Sequence, residues 1–597
     1  MKNRLTRLFI LPSTFFVSMT SMAEEMASAP VVVTATRTAQ IADNTLAPVI
    51  IINRQEIETS PATDVAGLLS LHAGLDVARN GGPGQATSLF IRGTDSNHTL
   101  VMIDGLKINP GTIGGAALQN ISADNIERIE IVKGPRSTLY GSEAIGGVIN
   151  IITRQATNKM RSSLSVEHGR YDSNNANVDL QYRRENVRAG ITANWLESNG
   201  FSPKSSSAVS RGHDNTTINT HLGIAFSLLA VELSHWQAQG NTEYLDFFDT
   251  SVDQDFSNSA SGLTLKANPS DEWATSLTLG HITDEIDQNQ SNDFAHTQRN
   301  SIDWQNDIQL NDENLLTTGI WISREHTASA VFGSGFDEDT NVNAAFVQND
   351  MQTGNNHLLL SARSTDHDGF GSHTTWGIEY GYRINHNTRV TLGSGTAFRA
   401  PDSTDRFGFG GNPNLSPENS RNTELGLSHQ FSKQQQLSIN IFDNKIHDLI
   451  EYDLTSSLMK NTGKAHIRGI DANYSAKFKR VAVSINAITQ KPENEDTGED
   501  LARRAKHSVT SSVTWQGNRY RVTVEMLASG KRKDSAFSTD YNAGYGLVNV
   551  GSVLNISKTL DCYASVENLF DKRYETAKGF NTAAQTITIG LRYQPEE

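Results

Sequence analysis

Apolar and polar residues alternate almost continuously from about residue 160 to the end of this 597-residue chain. In the stretch 436–444, Leu437, Ile439 and Ile441 fall on one side of an extended strand, with Ser438 and Asn440 on the other. The stretch 585–593, QTITIGLRY, repeats the pattern. Period-two patterning of this kind predicts β-strands with one apolar and one polar face.

Turn signals separate these strands at intervals of about 20 residues, which predicts about 22 strands in residues 160–597. Some connections are tight, as in ANPSDEW at 267–273, whereas others look long and polar, as at 245–261 and 289–301. Short turns at one end and long loops at the other are typical of a membrane barrel.

The first 23 residues have the pattern of a signal peptide. Lys2, Arg4 and Arg7 precede the short apolar run 8–20, and SMA at 21–23 fits a cleavage site. We therefore expect export, with a mature chain that starts near Glu24. No later apolar run reaches the ~20 residues of a spanning helix, so an exported soluble β-protein and a membrane β-barrel both remain open.

Composition narrows the function classes. Hydrophobic residues make up 37% of the chain, as expected where alternate residues face water, and a net charge of −15 argues against binding nucleic acid. The single cysteine, Cys562, excludes an intramolecular disulfide. Motifs of zinc enzymes, serine hydrolases and P-loop proteins are absent from the sequence, which argues against a metal-centred enzyme and against nucleotide binding.

Residues 42–155 differ from the alternating region because their apolar runs are continuous. The stretches 99–108 and 127–134 predict strands, and 65–71 predicts a compact helix with an N-cap at Thr63 or Asp64. This pattern indicates a small mixed α/β domain with a core of its own.

Five ordered motifs resemble the signatures of TonB-dependent outer-membrane receptors. Two resemble the signatures of that family's plug domain, at 91–109 and 127–153, and three those of its barrel, at 397–401, 411–420 and 566–575. The resemblance implies an all-β membrane protein: an antiparallel transmembrane barrel of about 22 strands at 156–597, with a mixed α/β plug at 42–155 in its lumen. It also implies a monomer in contact with lipid of a Gram-negative outer membrane. Such a receptor transports its ligand without covalent chemistry, so the resemblance implies that the chain is not an enzyme and requires no cofactor.

The same resemblance gives roles to several residues before and within the plug. The periplasmic segment 24–41 would carry a TonB box, which TonB captures by strand addition, at Val31, Val32, Val33, Thr34, Ala35, Thr36 and Arg37. Its backbone groups have no obvious place in the plug or the barrel ladder, so we expect them to be free for that partner. Arg136 and Glu143 would pair with the barrel wall and lock the plug.

Within the family, the loops at 80–98 and 104–115 and the stretch 501–509 look most like those of cobalamin transporters. Carried over position by position, the implied ligand contacts are Ala86, Ser88, Asp95, Ile113, Gly114 and Arg503. Small residues suit a bulky corrinoid with peripheral amides, which needs a wide and shallow bed. Two positions depart from the pattern: the family has a bulkier apolar residue where this chain has Ala86, and an amide side chain where it has Asp95.

The resemblance also raises the question of calcium, since these transporters carry Asp-rich loops that bind it. The matching stretch 202–216 keeps Asp214, and 241–255 is rich in acids. Calcium takes about six to eight oxygen ligands. The predicted ligands are Asp214, Asp246 and Asp253.

Other substrates and roles stay open from the sequence. A ferric siderophore receptor would show more Arg and Lys in the plug loops than Arg92 and Lys107, and a haem receptor would have a histidine in 402–411. A passive porin would lack the plug and the coupling strand. Long polar loops also favour docking of a phage or a colicin. The final QPEE extends past Tyr593, the aromatic residue on which such barrels commonly end.

Overall fold

The computed structural model describes residues 31–156 and 160–595, and the described part forms a closed antiparallel barrel around an N-terminal plug. The predicted fold class is confirmed, with 22 strands in the described barrel. No helix in these two ranges is long and apolar enough to cross a membrane.

The plug domain is built from short elements. Their bounds are β1 Val31–Val32, β2 Gln40–Ile41, β3 Val49–Asn53, α1 Arg54–Thr59, α2 Val65–Ser70, β4 Leu75–Arg79, β5 Thr87–Ile91, β6 Thr99–Ile103, β7 Leu106–Lys107, β8 Ile126–Lys133, α3 Ser137–Tyr140 and β9 Gly147–Thr153. Short 3₁₀ turns lie at Ala42–Asn44, Ser96–His98, Leu118–Asn120 and Ala123–Asn125.

The barrel strands follow in chain order. They are β10 Met160–Gly169, β11 Ser173–Arg184, β12 Val187–Phe201, β13 Arg211–Ala225, β14 Leu229–Leu245, β15 Ser251–Ser270, β16 Trp273–Gln288, β17 Phe294–Asn311, β18 Asn314–Val331, β19 Ser334–Thr353, β20 Asn356–His367, β21 Gly371–Asn385, β22 Thr388–Arg399, β23 Glu418–Ser432, β24 Gln435–Asp453, β25 Leu458–Phe478, β26 Val481–Asn494, β27 His507–Gln516, β28 Tyr520–Ser529, β31 Tyr545–Asn555, β32 Leu560–Glu567 and β33 Thr586–Tyr593. Helix α4 Ser403–Phe407 and the pair β29 Arg532–Lys533 and β30 Tyr541–Asn542 lie in loops, and a 3₁₀ turn lies at Arg170–Asp172.

Pairing of the first and last strands closes the barrel. Strand β10 runs antiparallel to β33, in a register that sets Leu164 opposite Tyr593. Alternation puts apolar side chains outside: Leu279, Ile302 and Ile322 are cross-strand neighbours on β16–β18, and each is 41–42% exposed. A closed ladder pairs every strand edge, which a lipid environment requires.

The two rims differ as predicted, but the predicted boundaries between loops and strands do not match the structure. One rim carries short turns such as 312–313, and the other carries longer connections such as 400–417 and 495–506. The predicted long loops at 245–261 and 289–301 are wrong, because only 246–250 and 289–293 lie outside strands. A 20-residue strand such as β15 rises about 66 Å, so it continues beyond the apolar layer as a water-exposed hairpin whose polar residues resemble a loop.

A five-stranded sheet in the order β3-β8-β9-β6-β7 forms the centre of the plug. Asp64 caps α2 by accepting a hydrogen bond from Gly67 N at 2.7 Å, which confirms the predicted helix start. Buried side chains that include Leu69, Ile129 and Ile149 form the core under this sheet. The continuous apolar runs of the sequence are therefore strands covered on both faces.

The plug does not fill the barrel evenly. A cavity of about 1190 Å³ separates α1 and α2 from strands β22–β28 in the half nearer the short-turn rim. We call it the lower cavity. Ser484 on β26 and the turn residues Gln434 and Lys479 line it, so polar residues face it from the wall.

Neighbouring residues on β26 provide a test of the lipid-facing pattern. Ile485 is 40% exposed on the outside, whereas Ser484 lines the lower cavity. Because a lysine on the lipid face of a barrel costs up to about 2–4 kcal/mol, depending on its depth, we expect Ile485→Lys to lower the free energy of barrel unfolding by up to that amount and Ser484→Lys to change it little. Denaturant titration in detergent micelles measures both, and equal losses would contradict the assignment of the two faces.

Candidate functional site

Two plug loops meet at the long-loop rim of the barrel and form the floor of an outer cup. We define the outer cup by plug residues 80–98 and 109–116 and by barrel loops 400–417 and 495–506. Asn109 joins its parts, since its side-chain amide donates hydrogen bonds to Thr99 O at 2.9 Å and to Gly114 O at 2.8 Å. A Cβ at Gly114 would lie 3.2 Å from Asn97 Cβ, and φ there is +68°. Glycine thus lets the second loop rest on the first.

Five of the six predicted ligand contacts lie on this floor. Ile113 is 51% exposed at the apex of the second loop, and Gly114 beside it is buried. Ala86 is exposed and Ser88 half-buried at the hairpin of β4 and β5. The barrel wall also holds this hairpin, because the Gln85 side chain donates a hydrogen bond to Glu243 O on β14 at 2.7 Å.

The barrel residue that pairs with the floor is Arg504. Its guanidinium lies 3.0 Å from the Asp95 carboxylate, donates to Gly93 O at 3.2 Å and stacks over the Phe90 ring at 4.4 Å. Arg503, the predicted contact, takes a left-handed conformation with φ of +66°, and its Nε donates to Asp534 O at 3.4 Å. The structure therefore joins Asp95 to the neighbour of the predicted arginine.

This pairing sets the ionisation of Asp95. Burial alone would raise its pKa, but the Arg504 guanidinium and His98 outweigh that effect and hold the pKa of this carboxyl well below its usual range. Asp95 also caps the 3₁₀ turn at Ser96–His98. The charge thus fixes the first loop to the barrel.

A buried ionic network lies below the second loop. Arg399 Nε lies 2.8 Å from Glu418 Oε2 and its Nη2 lies 2.9 Å from Asp405, while His98 Nε2 contacts Glu418 at 2.5 Å. Arg399, Glu418 and His98 are each 1% exposed. Removing one partner of such a network leaves an uncompensated buried charge, at a cost of about 3–5 kcal/mol.

A second ionic cluster joins the centre of the plug to the wall. Arg92 lies 2.6 Å from Asp471 and 3.0 Å from Glu424, and it stacks over Phe442 at 4.6 Å. Lys133 Nζ completes the cluster, 3.8 Å from Asp471 and within hydrogen-bond distance of Ala73 O at 3.2 Å. The plug is thus anchored by charge beside an apolar patch of the wall that includes Phe442 and Ile467.

The two predicted locking residues have different partners. Arg136 Nη1 lies 2.7 Å from Glu379 on β21, so this ion pair crosses from plug to wall. Glu143 instead forms its salt bridge with Lys107, which also belongs to the plug. The Lys107–Glu143 bridge therefore holds two plug loops together, where a bridge to the wall was expected.

The segment 31–37 is docked inside the barrel, contrary to the prediction of free backbone groups. Glu130 on β8 accepts hydrogen bonds from Thr34 N at 3.0 Å and from Thr34 Oγ1 at 2.6 Å. Only Val31–Val32 is a strand, paired with Gln40–Ile41, and Val32 is fully buried. The buried Glu130 carboxylate needs hydrogen-bond donors, and the sequence of 31–37 gives no local indication that it supplies them.

An ion pair fixes the end of this segment. Arg37 forms a bidentate pair with Asp303 on β17, with N–O distances of 3.0 and 2.8 Å. The same guanidinium stacks over the rings of Tyr140 and Phe346, each at 4.8 Å. The predicted coupling segment is therefore held at both ends by charged or polar contacts.

The three predicted calcium ligands do not converge. Asp246 accepts backbone hydrogen bonds within its own loop, from Phe248 N and Thr250 N, and Asp253 accepts from the side chains of Asn241 and Asn289. Within residues 31–156 and 160–595, no three His, Cys, Asp or Glu side chains are grouped so that they could hold a metal ion. Calcium binding at Asp214, Asp246 and Asp253 stays a prediction that this geometry does not support.

Sequence reasoning missed the residues that carry most of the charge in the site. Arg399 and Glu418 lie inside motifs already singled out by sequence, yet no local feature shows that they meet each other and His98. A charged residue amid apolar neighbours, as Arg92 is in FIRG, was the one available signal.

Comparisons with known proteins give consistent results for the family. Residues 155–569 match the profile of the TonB dependent receptor-like β-barrel, and 42–148 match that of the TonB-dependent receptor plug domain. Among curated proteins, the vitamin B12 transporter BtuB of Vibrio vulnificus is 30% identical over 92% of this chain and 91% of its own. BtuB of Photobacterium profundum is 29% identical over 98% of both chains.

Solved structures share the fold at lower identity. The ferric enterobactin receptor PfeA of Pseudomonas aeruginosa superposes with a TM-score of 0.81 at 18% identity, covering 95% of this chain and all of that one. The siderophore receptor PirA of Acinetobacter baumannii gives 0.79 at 17%, covering 92% and 98%. A structure of FpvAI bound to pyocin S2 gives 0.81 at 15%, covering 95% and 90%.

The Asp95–Arg504 pair predicts a pH dependence of the floor. A carboxyl with a depressed pKa stabilises the fold above the pKa of the unfolded chain, about 3.9, and that stabilisation is lost as the pH falls through the folded-state pKa. Because 37% of the Asp95 side chain is exposed, water screens the pair and limits its contribution to about 1 kcal/mol.

We therefore expect Asp95→Asn to reduce hydrogen-exchange protection of residues 89–98 by about 1 kcal/mol at pH 7. The difference from the unmodified protein should shrink as the pH falls below about 4, because the carboxyl of the opened state gains a proton there while the paired carboxyl stays ionised to lower pH. Equal protection at neutral pH, or a difference that persists in acid, would contradict this role.

Proposed function

Because this chain belongs to the TonB-dependent receptor family, in the outer membrane of a Gram-negative cell, we propose that it imports cobalamin or a related corrinoid. Proteins of this family bind their ligands from outside and take energy from TonB. The long-loop rim then faces the medium and the short-turn rim faces the periplasm. The proposed role is transport without covalent chemistry.

The main support for the proposed substrate is the sequence identity to vitamin B12 transporters, which is about 30% over more than nine-tenths of the chain. The structural neighbours named for siderophores are less than 20% identical, so their likeness concerns the fold. The exposed floor adds support. Ala86, Ser88 and Ile113 offer small and apolar surface, which suits a large ligand with a broad face.

The charges around the outer cup also favour a ligand without strong negative charge. Lys107, Arg399 and Arg504 each have a carboxylate partner at hydrogen-bond distance. Arg92 is paired twice and is buried. An anionic ferric siderophore would have to compete with these carboxylates for its cations, whereas a corrinoid with peripheral amides needs hydrogen-bond partners only.

Coupling to TonB would use the docked segment 31–37. A segment bound to Glu130 and Asp303 cannot pair with an incoming strand, so its contacts must open first. Corrinoid binding at the outer cup would favour the state in which these contacts are broken. TonB would then capture 31–37 and pull on the plug.

Binding titrations of the refolded protein test the substrate. We expect saturable binding of cyanocobalamin and much weaker binding of a ferric siderophore, measured by intrinsic fluorescence. Ile113→Asp should weaken cyanocobalamin binding about tenfold, corresponding to 1.4 kcal/mol, while Ile113→Leu retains it. Parallel titrations with calcium and with chelator test the acidic loops. Preferential binding of the siderophore would reject the proposed substrate.

Deletion of 31–37 tests the coupling role, with Asp303→Asn as a companion variant. The deletion should leave cyanocobalamin binding intact and abolish uptake by whole cells. Asp303→Asn removes the partner of Arg37, so a cysteine placed at Val33 in a Cys562→Ser background should react faster with a thiol reagent when no ligand is bound. Uptake that survives the deletion would exclude 31–37 as the TonB box.

A further inference from the structure

Three cavities follow one side of the plug from the periplasm to the outer cup. The lower cavity already described is the first. A middle cavity of about 50 Å³ lies above it, with Lys133, Leu46 and Thr391 lining both. An upper cavity of about 70 Å³ lies below the second plug loop and is bordered by Pro110 and Gly114.

The layer between the middle and upper cavities is thin. Ser361 and Thr396 line the middle cavity, and Arg363 and Phe398 line the upper one. Arg363 follows Ser361 by two residues on β20, and Phe398 follows Thr396 by two residues on β22. Residues two apart lie on the same face of a strand, and the rise between them is about 7 Å. One row of side chains and the adjacent plug backbone thus separate the two cavities.

Residues 134–143 of the plug form that backbone. Gly134, Arg136 and Thr138 line the middle cavity, and residues 140–143 line the upper one. The wall holds this segment with few bonds: Arg136 pairs with Glu379, and Arg363 Nη1 donates to Leu139 O at 3.1 Å. Above them Ala400 N donates to Ser142 Oγ at 3.1 Å.

The wall beside this segment lacks bulk. Gly377, Gly393 and Gly395 line the middle cavity on β21 and β22. A Cβ at Gly377 would lie 3.7 Å from Thr138 Cγ2, so the segment rests directly on the backbone of the wall. Movement of the segment would meet no large side chain at these three positions.

The coupling segment is attached to this same part of the plug. Tyr140 donates a hydrogen bond from its hydroxyl to Thr34 O at 3.0 Å, and its ring packs under Arg37. Glu130, which binds Thr34, lies four residues before Gly134. A pull on 31–37 therefore acts on residues 134–143 at two points: through Tyr140, within them, and through Glu130, just before them.

We propose that substrate leaves the outer cup along the side of the plug that faces strands β17–β28, through a passage that opens when residues 134–143 move away from the wall and join the three cavities. The inference rests on the proposed function, and it adds the route and the gate. A separate contact between plug and wall, where Leu106 packs against Gly262 and Gly280 of β15 and β16, stays in place during transport.

Two disulfides of matched design distinguish the gate from this contact in the full-length protein with Cys562→Ser. Thr138→Cys with Gly377→Cys ties the gate to the wall, since the γ-atom of Thr138 lies 3.7 Å from the added Cβ. Leu106→Cys with Gly262→Cys ties the separate contact at β15 to the wall, with Leu106 Cγ 3.8 Å from the added Cβ. Both spacings are compatible with a disulfide.

We expect the oxidised gate pair to bind cyanocobalamin normally and to lose uptake, and reduction to restore it. The oxidised Leu106–Gly262 pair should retain uptake. Normal uptake by the oxidised gate pair would overturn the proposal, and so would equal loss in both pairs, which would show that the whole plug must leave. If the reduced proteins neither bind nor import cyanocobalamin, the proposed substrate fails instead, and the same pairs test the route with the ligand that is imported.

Discussion

The pairing of β10 with β33 is the constraint from which the rest of the architecture follows. In lipid, each unpaired backbone group costs several kcal/mol, so a spanning sheet must close on itself. Closure with alternating residues places apolar side chains outside and polar ones inside. The lumen is thereby polar before the plug enters it, and the plug cannot be held there by a continuous apolar interface.

That polar wall explains why the plug is anchored by charge. Arg92 reaches Asp471 and Glu424, and Arg136 reaches Glu379, whereas the apolar contacts between plug and wall form separate patches, around Trp236 and around Phe442. Ion pairs taken out of water recover much of their desolvation cost only while the geometry is kept. Such contacts hold firmly in one arrangement and lose their advantage after a small displacement. This behaviour suits a domain that must stay in place and then move.

The sequence predicted what depends on neighbours along the chain. Alternation at 436–444 and 585–593 specified strands and their faces, and Asp64 was recognisable as a helix cap because capping acts over three residues. Contacts between segments far apart in the sequence were not predictable in this way. Thr34 and Glu130 are 96 residues apart, and Asp95 meets Arg504 only because the barrel closes around the plug. The family resemblance predicted a ligand contact at Arg503, which stays a prediction, and it did not indicate that the neighbouring Arg504 pairs with Asp95.

Docking of 31–37 sets an energetic requirement on any signal from the outer cup. The bidentate Arg37–Asp303 pair and the bonds to Glu130 are charge-assisted, and hydrogen bonds of this type contribute about 1.5–3 kcal/mol each. A ligand shifts such an equilibrium only by its difference in affinity for the two states, and a change from 1:99 to 99:1 needs about 5.5 kcal/mol. Two or three such contacts are of that size. Under the proposed coupling, these contacts keep the segment docked without ligand, and the binding energy of one large ligand is of the size needed to release it.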